Sequence, residues 1–453
     1  MKIVIVGVGK VGYALASQLQ REGHDITVID TNEQVIEKTG NSLDVIGFVG
    51  NGASYTVLQS VGVEKCDLLL AVAASDEVNM LCCLLAHKLG AKYTVARVRN
   101  PEYADQLDLL KDDLGLSMTV NPERSEAKEI NRILRFPSAT RVELFAHGKA
   151  EMVAAKVPEN SVLDGLQLKL LPSKFNVHLL ICAVEHAGEV IIPTGNFTIN
   201  AGDTLYIAGA PSDLVKAFRR VHLLTHPSRN VIITGGGRIT YYLSEMLLKD
   251  GVSVKIIEQD QKRAQELAAL LPAAVVLHGD ASDYELLTEE GLSEADALVT
   301  LTGVDEANIL TALFAGEFNV PKVIAKVNND NLSNLLKDST LQTIVSPKQI
   351  TSNQILRFAR ALAAGLSNEN IMSLYKIIGG KAEILEFLAP DEGTFLNVPL
   401  KDLHLKKNTL IACLVRNGKT IIPDGTVCIL PKDAVLIVTV DQQLRELKGI
   451  LEE

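Results

Sequence analysis

Gly7-Val8-Gly9-Lys10-Val11-Gly12 sets three glycines in G-x-G-x-x-G spacing directly after the apolar run Ile3-Val4-Ile5-Val6. That arrangement suits a phosphate chain. The first glycine makes a tight turn, the second lets backbone approach the anion, and the third lets the following helix pack close to the strand. The helix N-terminus adds unpaired N–H groups and a favourable dipole, worth about 0.3–1 kcal/mol per charge and up to about 2 kcal/mol when partly buried. Asp30 ends the next apolar run, 18 residues beyond Gly12. A carboxylate there accepts hydrogen bonds from an adenosine ribose and repels a 2′-phosphate. The pattern therefore favours NAD(H) or ATP/ADP over NADP, with Gly7, Val8, Gly9, Lys10, Val11, Gly12 and Asp30 as its first candidate contacts.

In a sheet of this kind ligands lie at the carboxyl ends of the strands, near the point where strand order reverses. Three more segments belong there. Asn51, Ala53 and Ser54 follow a third strand within reach of a base. Ala74, Ser75, Asp76 and Glu77 follow a fourth, with Ser75 placed as a helix N-cap. Asp76 and Glu77 either touch the ligand or simply match the dipole of the helix they open. Arg97 and Arg99, two apart at a strand end, project to one side and suit forked hydrogen bonds to phosphate.

The elements that must hold these residues are legible as alternating runs. Val/Ile/Leu-rich segments at 2–6, 26–30, 45–49, 67–73, 93–97 and 117–120 alternate with amphipathic stretches, the pattern of βαβ units on a doubly wound parallel sheet. A helix from Pro122 to Arg135 leaves that sheet. After Pro137 come short β-like runs, Arg141 to Ala146, His178 to Val184, Val190 to Ile192 and Thr204 to Ala208, which read as a small α+β lobe.

The whole plan then repeats. Gly7 returns as Gly235 and Asp30 as Glu258, both 228 residues on; Asp76-Glu77-Val78-Asn79 returns as Asp305-Glu306-Ala307-Asn308, and Ile191-Ile192-Pro193 as Ile421-Ile422-Pro423. The fold class is α/β, with two tandem Rossmann-like sheets each followed by a small α+β lobe. The expected divisions are 1–137, 138–226, 227–365 and 366–453, with His226-Pro227-Ser228 as the linker and a second exit helix from Pro347 to Ala364. The second copy departs at its site. Gly235-Gly236-Gly237-Arg238-Ile239-Thr240 puts Thr240 where the third glycine stood, Lys326 stands for Arg97 and Asn328 for Arg99. Gly235, Gly237, Glu258 and Asp280 are the second copy's candidate contacts, with altered geometry expected.

Composition narrows the alternatives. The 453 residues carry 44 Lys plus Arg against 55 Asp plus Glu, a net charge of −11, so no field favours a nucleic acid. The opening residues read as a strand running into a glycine turn, not as a signal peptide, and the apolar stretches fall short of the roughly 20 residues that span a bilayer. A soluble protein is expected. The six cysteines form no C-x-x-C pair and suit buried, reduced thiols. No metal site is indicated. An NAD-dependent oxidoreductase is the competing class, but none of His24, His87 and His147 belongs to a catalytic-looking constellation with Arg or Asp.

Gly50-Asn51-Gly52-Ala53-Ser54, Asp76-Glu77-Val78-Asn79, Val95-Ala96-Arg97-Val98-Arg99 and Ile191-Ile192-Pro193, carried by tandem glycine-turn lobes, resemble the domains that regulate potassium conductance, the RCK or KTN family. A free-standing chain with two such domains resembles the peripheral regulatory subunits of Trk-type potassium uptake systems. The resemblance implies a non-enzymatic regulator in the cytoplasm, a ring of Rossmann lobes assembled from a homotetramer, and docking against a membrane-embedded potassium transporter. It also implies adenine nucleotides bound at Gly7, Gly9, Gly12, Asp30 and Arg97. In such families the small lobes pair as dimers and can hold a second effector such as a cyclic dinucleotide, which this sequence assigns to no residue.

Overall fold

Strands form where near-continuous runs of Val, Ile and Leu meet helices on both faces, because neither face can then be polar. The computed structural model describes all residues except 101–102, 104–105, 107–109, 137–138, 178, 224–227, 337–340, 342, 367–370, 378–380, 441–443, 445 and 453. In the first lobe β1 (Lys2–Val6), β2 (Asp25–Asp30), β3 (Ile46–Val49), β4 (Leu68–Ala71), β5 (Tyr93–Arg97) and β6 (Met118–Val120) form one sheet in the order β3-β2-β1-β4-β5-β6. All its ladders are parallel. Ile3 to Val6 on β1 and Leu68 to Ala71 on β4 are buried throughout. The helices α1 (Lys10–Arg21), α2 (Glu33–Ser42), α3 (Tyr55–Ser60) and α4 (Asp76–Leu89) connect successive strands, and α5 (Pro122–Arg135) leaves the sheet over the expected residues. Strand order reverses between β1 and β4, so the crevice at their carboxyl ends is where this topology receives ligands.

The first small lobe is an antiparallel sheet of β7 (Ala139–Phe145), β8 (Ala150–Lys156), β9 (Leu180–His186), β10 (Glu189–Ile191) and β11 (Thr204–Gly209), in the order β10-β9-β11-β8-β7. It also carries α6 (Leu171–Phe175) and α7 (Pro211–Arg220). The sequence reading omitted β8, and the reason is physical. Val153 and Ala155 pack into the core under α7, while Ala150, Met152 and Ala154 pack into a second core on the other face. A strand buried on both sides shows no alternation. His178, where one run was expected to begin, and His226-Pro227 of the expected linker lie outside the described residues.

The second copy repeats both sheets. Its parallel sheet runs β14-β13-β12-β15-β16-β17, built from β12 (Asn230–Thr234), β13 (Ser253–Glu258), β14 (Val275–His278), β15 (Ala297–Thr300), β16 (Lys322–Lys326) and β17 (Thr343–Val345). The helices α8 (Arg238–Lys249), α9 (Gln261–Leu270), α10 (Tyr284–Glu289), α11 (Asp305–Glu317) and α12 (Asp330–Leu335) connect it, and α13 (Pro347–Leu366) leaves it. Its small lobe orders β18 (Ile371–Ile377), β19 (Ala382–Leu388), β22 (Ala434–Thr439), β20 (Thr409–Arg416) and β21 (Lys419–Ile421) as the first does.

Packing order differs from chain order. Like lobes group together: residues 1–131 with 229–359 form one compact unit, and 132–228 with 360–453 form the other. Within the second unit the two small sheets share a core, in which Met152, Ala154, Cys182 and Tyr206 meet Ile384, Ala412, Cys413 and Val438. The Glu386 carboxylate also accepts the Ala146 N–H at 3.1 Å. Each small lobe closes a turn on an aspartate: Asp203 accepts the Asn200 N–H and Asp433 the Leu430 N–H, both at 2.8 Å.

Within the first unit the two Rossmann lobes meet through α5 and its approach. Asn121 Nδ2 donates to the Tyr242 hydroxyl at 3.2 Å, and the Ser125 hydroxyl donates to Gln354 Oε1 at 2.8 Å. Glu126, fully buried on α5, faces Lys326 of the second lobe, and neither of its carboxylate oxygens has a hydrogen-bond partner. Burial pushes its carboxyl from an ordinary 4.5 up to about 8, against the opposing pull of the Lys326 ammonium. Glu126 therefore holds its proton more tightly folded than unfolded, so its contribution to stability falls as pH rises from 4.5 through 8. Glu126→Gln, which keeps the shape and removes the ionisation, is expected to leave the thermal midpoint unchanged below about pH 4 and to raise it by a few degrees in alkaline buffer. A midpoint unchanged or lowered at alkaline pH contradicts this.

Candidate nucleotide-binding cleft

The glycine turn is held from below by β2. Gly7 N–H donates to the Ile29 carbonyl at 2.8 Å, and the Asp30 carboxylate receives the Val8 N–H at 2.7 Å and the Asn32 N–H at 2.9 Å. Each Asp30 oxygen thus spends one lone pair on the chain and keeps another for a ligand. The three glycines are not equivalent. Gly7 has φ +89°, and a Cβ there would lie 2.6 Å from Ala73 backbone; a Cβ on Gly12 would lie 2.0 Å from the Gly7 carbonyl oxygen. Both are demanded by the fold itself. A Cβ on Gly9 would meet nothing within 4 Å, and Gly9 lines a cleft of about 600 Å³. Only something bound in that cleft would require glycine at position 9.

The cleft gathers many of the expected residues. Gly7, Gly9, Lys10 and Val11 line it with Asp30 and Asn51, and on the far side Ala74, Arg97 and Arg99 complete the wall. Arg97 and Arg99 are anchored through Nη2 to the carbonyls of Ala73 at 2.6 Å and Ala74 at 3.0 Å. Their buried Nε groups have no hydrogen-bond partner. Burial, with Arg99 alongside, holds the Arg97 guanidinium below its ordinary value. Arg99 also lies 4.0 Å from the carboxylates of Asp76 and Glu123; the guanidinium groups on this wall suit an anion, and the volume falls within the roughly 300–1,000 Å³ usual for small-molecule sites.

Other candidates do not line the cleft. Val8 and Gly12 shape the turn from behind. Ala53 donates its N–H to Asn51 Oδ1 and Ser54 its N–H to the Asn51 carbonyl, each at 2.9 Å, so both brace Asn51. Ser75 caps α4, accepting the Val78 N–H at 3.2 Å, and its hydroxyl donates to Glu77, holding that carboxyl below its usual range. Asp76 accepts the Arg99 and Asn100 N–H groups, each at 2.8 Å, and so fixes the chain after β5. For Asp76 and Glu77 the contacts seen are these internal ones.

Two contributions escaped the sequence reading. Asn79, fully buried, accepts the Ala73 N–H at 2.8 Å and donates to the carbonyls of Ala73 at 3.0 Å and Arg97 at 2.8 Å. It staples the ends of β4 and β5 into one ledge, and Asn308 does the same for Thr302 and Lys326. Its return in the Asp-Glu-x-Asn repeat was the available signal. The second contribution comes from the other copy: Asn328, Pro347, Lys348 and Thr351 also line the first copy's cleft. Asn328 is oriented by Asp305, which accepts its N–H at 2.9 Å and its side-chain amide at 3.0 Å.

The second copy's turn has been rebuilt. Glu258 accepts the Gly236 N–H, and the Asp260 N–H at 2.7 Å, as Asp30 does for Val8 and Asn32. A Cβ at Gly236 would lie 2.7 Å from Glu258 Oε2, so the longer carboxylate and the smaller turn residue compensate one another. Thr240 donates its hydroxyl to the Gly235 carbonyl, replacing the bare approach of Gly12 by a hydrogen bond. Gly237 caps α8 as Gly9 caps α1. Asp280 accepts from the Ser282 N–H and the Ser282 hydroxyl, which hold its carboxyl below the ordinary value, and from Gln259 Nε2 at 3.0 Å.

Sequence comparison agrees with this duplicated architecture. The TrkA-N domain family matches residues 3–122 and again 231–347, and the TrkA-C domain family matches residues 152–222. Trk system potassium uptake protein TrkA homolog 1 of Methanosarcina mazei is 33% identical over 459 residues, covering 99% of both chains. The chain belongs to the TrkA family of Trk potassium uptake proteins. A second TrkA homologue, from Archaeoglobus fulgidus, is 32% identical over 450 residues, 99% of this chain and 100% of its own. Among solved structures the GsuK channel bound to NAD superposes with a TM-score of 0.61 at 17% identity, over 99% of this chain and 78% of that one. That likeness places the TrkA fold with RCK architecture. Among the described residues no helix is long and apolar enough to cross a membrane.

The glycines give a clean test. Gly9→Ser supplies a favoured N-cap residue, and its side chain points into open space. Its stability should stay within about 0.5 kcal/mol of wild type while nucleotide affinity collapses. Gly12→Ala should lose stability and affinity together, and calorimetry with thermal unfolding separates the two patterns. Unimpaired nucleotide binding by Gly9→Ser would show that no ligand approaches the turn.

Proposed function

We propose that this chain is a nucleotide-sensing regulator that works in the cytoplasm, at the inner face of the membrane, on a potassium-transporting partner embedded there. The observation that carries the proposal is the first cleft: a glycine turn at a helix N-terminus, a carboxylate at the end of β2, and half-buried arginines beyond. Adenine nucleotides, NAD(H) or ATP and ADP, are its ligands, with the ribose on Asp30 and the phosphates on the turn. Support comes from relatives named as potassium uptake proteins along their full length and from a similar fold solved as a channel bound to NAD.

Assembly of four chains into a ring of Rossmann lobes supplies the output. Moving a two-state gate from 1:99 to 99:1 takes about 5.5 kcal/mol of differential binding, or about 1.4 kcal/mol at each of four equivalent sites. One changed charge-assisted hydrogen bond per site suffices. The ionisable groups on the cleft, Lys10, Asp30, Arg97, Arg99, Glu123 and Lys348, suit a ribose and a phosphate chain, which ranks this reading above an oxidoreductase.

Asp30→Ala is expected to weaken binding of NADH and ATP by about tenfold or more, with Glu258→Ala producing a smaller loss, both measured by calorimetric titration of the full chain. Equal losses would refute the asymmetry between copies, and retention of full affinity by Asp30→Ala would refute the cleft as the site.

A further inference from the structure

The first cleft is finished by the second copy. Lys348 and Thr351, on the opening turns of α13, stand on its wall with Arg97 and Arg99. The helices α5 and α13 each begin at a proline, Pro122 and Pro347. By that register the first copy carries Glu123 where the second carries Lys348, and Glu126 where it carries Thr351. Between the copies the charge at this position is inverted. Glu123 and Glu126 both act on Lys326, the second copy's counterpart of Arg97. The first copy's cleft thus receives a cation from its neighbour, and the second copy's cationic strand end receives carboxylates.

The strand order says which part of a ligand would meet Lys348. Asp30 ends β2, the glycine turn follows β1, Ala73 and Ala74 follow β4, and Arg97 ends β5. Three strand spacings, about 14 Å in all, separate the two ends. A ribose on Asp30 sends its phosphates over the turn toward Arg97, and each added phosphate moves the anionic end closer to the second copy. On that side Arg97, Arg99 and Lys348 line the wall with Glu123, whose Oε1 lies 4.0 Å from Arg99 Nη1, while Asp76 Oδ1 lies 4.0 Å from Arg99 Nε.

We propose that Lys348, supplied by the second copy, binds the terminal phosphate of a nucleotide seated in the first copy's cleft and sets that cleft's preference for longer phosphate chains. The proposal rests on the nucleotide reading of the cleft and deepens it. A ligand held this way touches both copies, so phosphate number becomes a force between α13 and the first lobe. A nucleoside monophosphate anchors only to Asp30 and the turn and exerts no such force.

The test is calorimetric titration of the full-length protein with ATP, ADP and AMP, metal-free, on wild type, Lys348→Ala and Lys348→Arg. Lys348→Ala should weaken ATP about tenfold or more while AMP stays within about twofold, and Lys348→Arg should retain the wild-type preference. Lys348→Glu, which copies the charge of Glu123, should weaken ATP further and serves as the second variant if Lys348→Ala is poorly folded by thermal unfolding. Equal loss of ATP and AMP, or no loss of either, overturns the role of Lys348 while leaving the cleft as a nucleotide site. Wild type that binds none of the three ligands overturns the cleft itself and this inference with it.

Discussion

One carboxylate organises the first lobe's functional end. Asp30 takes the N–H groups of Val8 and Asn32 and thereby ties the glycine turn to the end of β2. With the Gly7 N–H on the Ile29 carbonyl, that tie sets the turn against the end of β2. The turn's position in turn fixes where α1 begins, and hence where the amides of its first turn point. Asn79 performs the matching task across the crevice by joining the ends of β4 and β5. The cleft is the space between two hydrogen-bonded clamps, one on each side of the strand-order reversal.

The duplication shows which features belong to the fold and which to the site. Asn79 and Asn308 make the same bonds in both copies, as do Asp30 and Glu258 toward their turns, so these are demands of the architecture. Gly12 and Thr240 differ, as do Arg97 and Lys326, and Glu123 and Lys348. The last two of those differences lie on the far side of the crevice, beyond the ends of β5 and β16. A chain that needed two identical sites would have little reason to invert a charge there. The copies are alike in how they fold and unlike in what they present.

Much of this was legible in the residues. The strands of the first parallel sheet lie on the apolar runs legible in the sequence, and the first exit helix runs over its expected span. Gly7, Gly9 and Asp30, which line the near wall of the cleft, carry their reasons in local spacing. What was hidden depends on burial or on distance along the chain. β8 is buried on both faces and shows no alternation. Asp76 read either as a ligand contact or as a match to the helix dipole, and in the fold its carboxylate accepts the amides of Arg99 and Asn100, groups no local pattern connects to it. Lys348 reaches the first cleft from the other copy, and no spacing rule within one βαβ unit could have placed it there. The pairing of like lobes into two units is hidden for the same reason.

The central claim is that the crevice between Asp30 and Arg97 is where an adenine nucleotide sits. A crystal structure of the full-length protein grown with ATP tests it most directly. The account predicts ribose hydroxyls on the Asp30 carboxylate and phosphate oxygens over the amides that follow Gly7. Density for the nucleotide at any other place on the chain, with this crevice unfilled at saturating ligand, would contradict it.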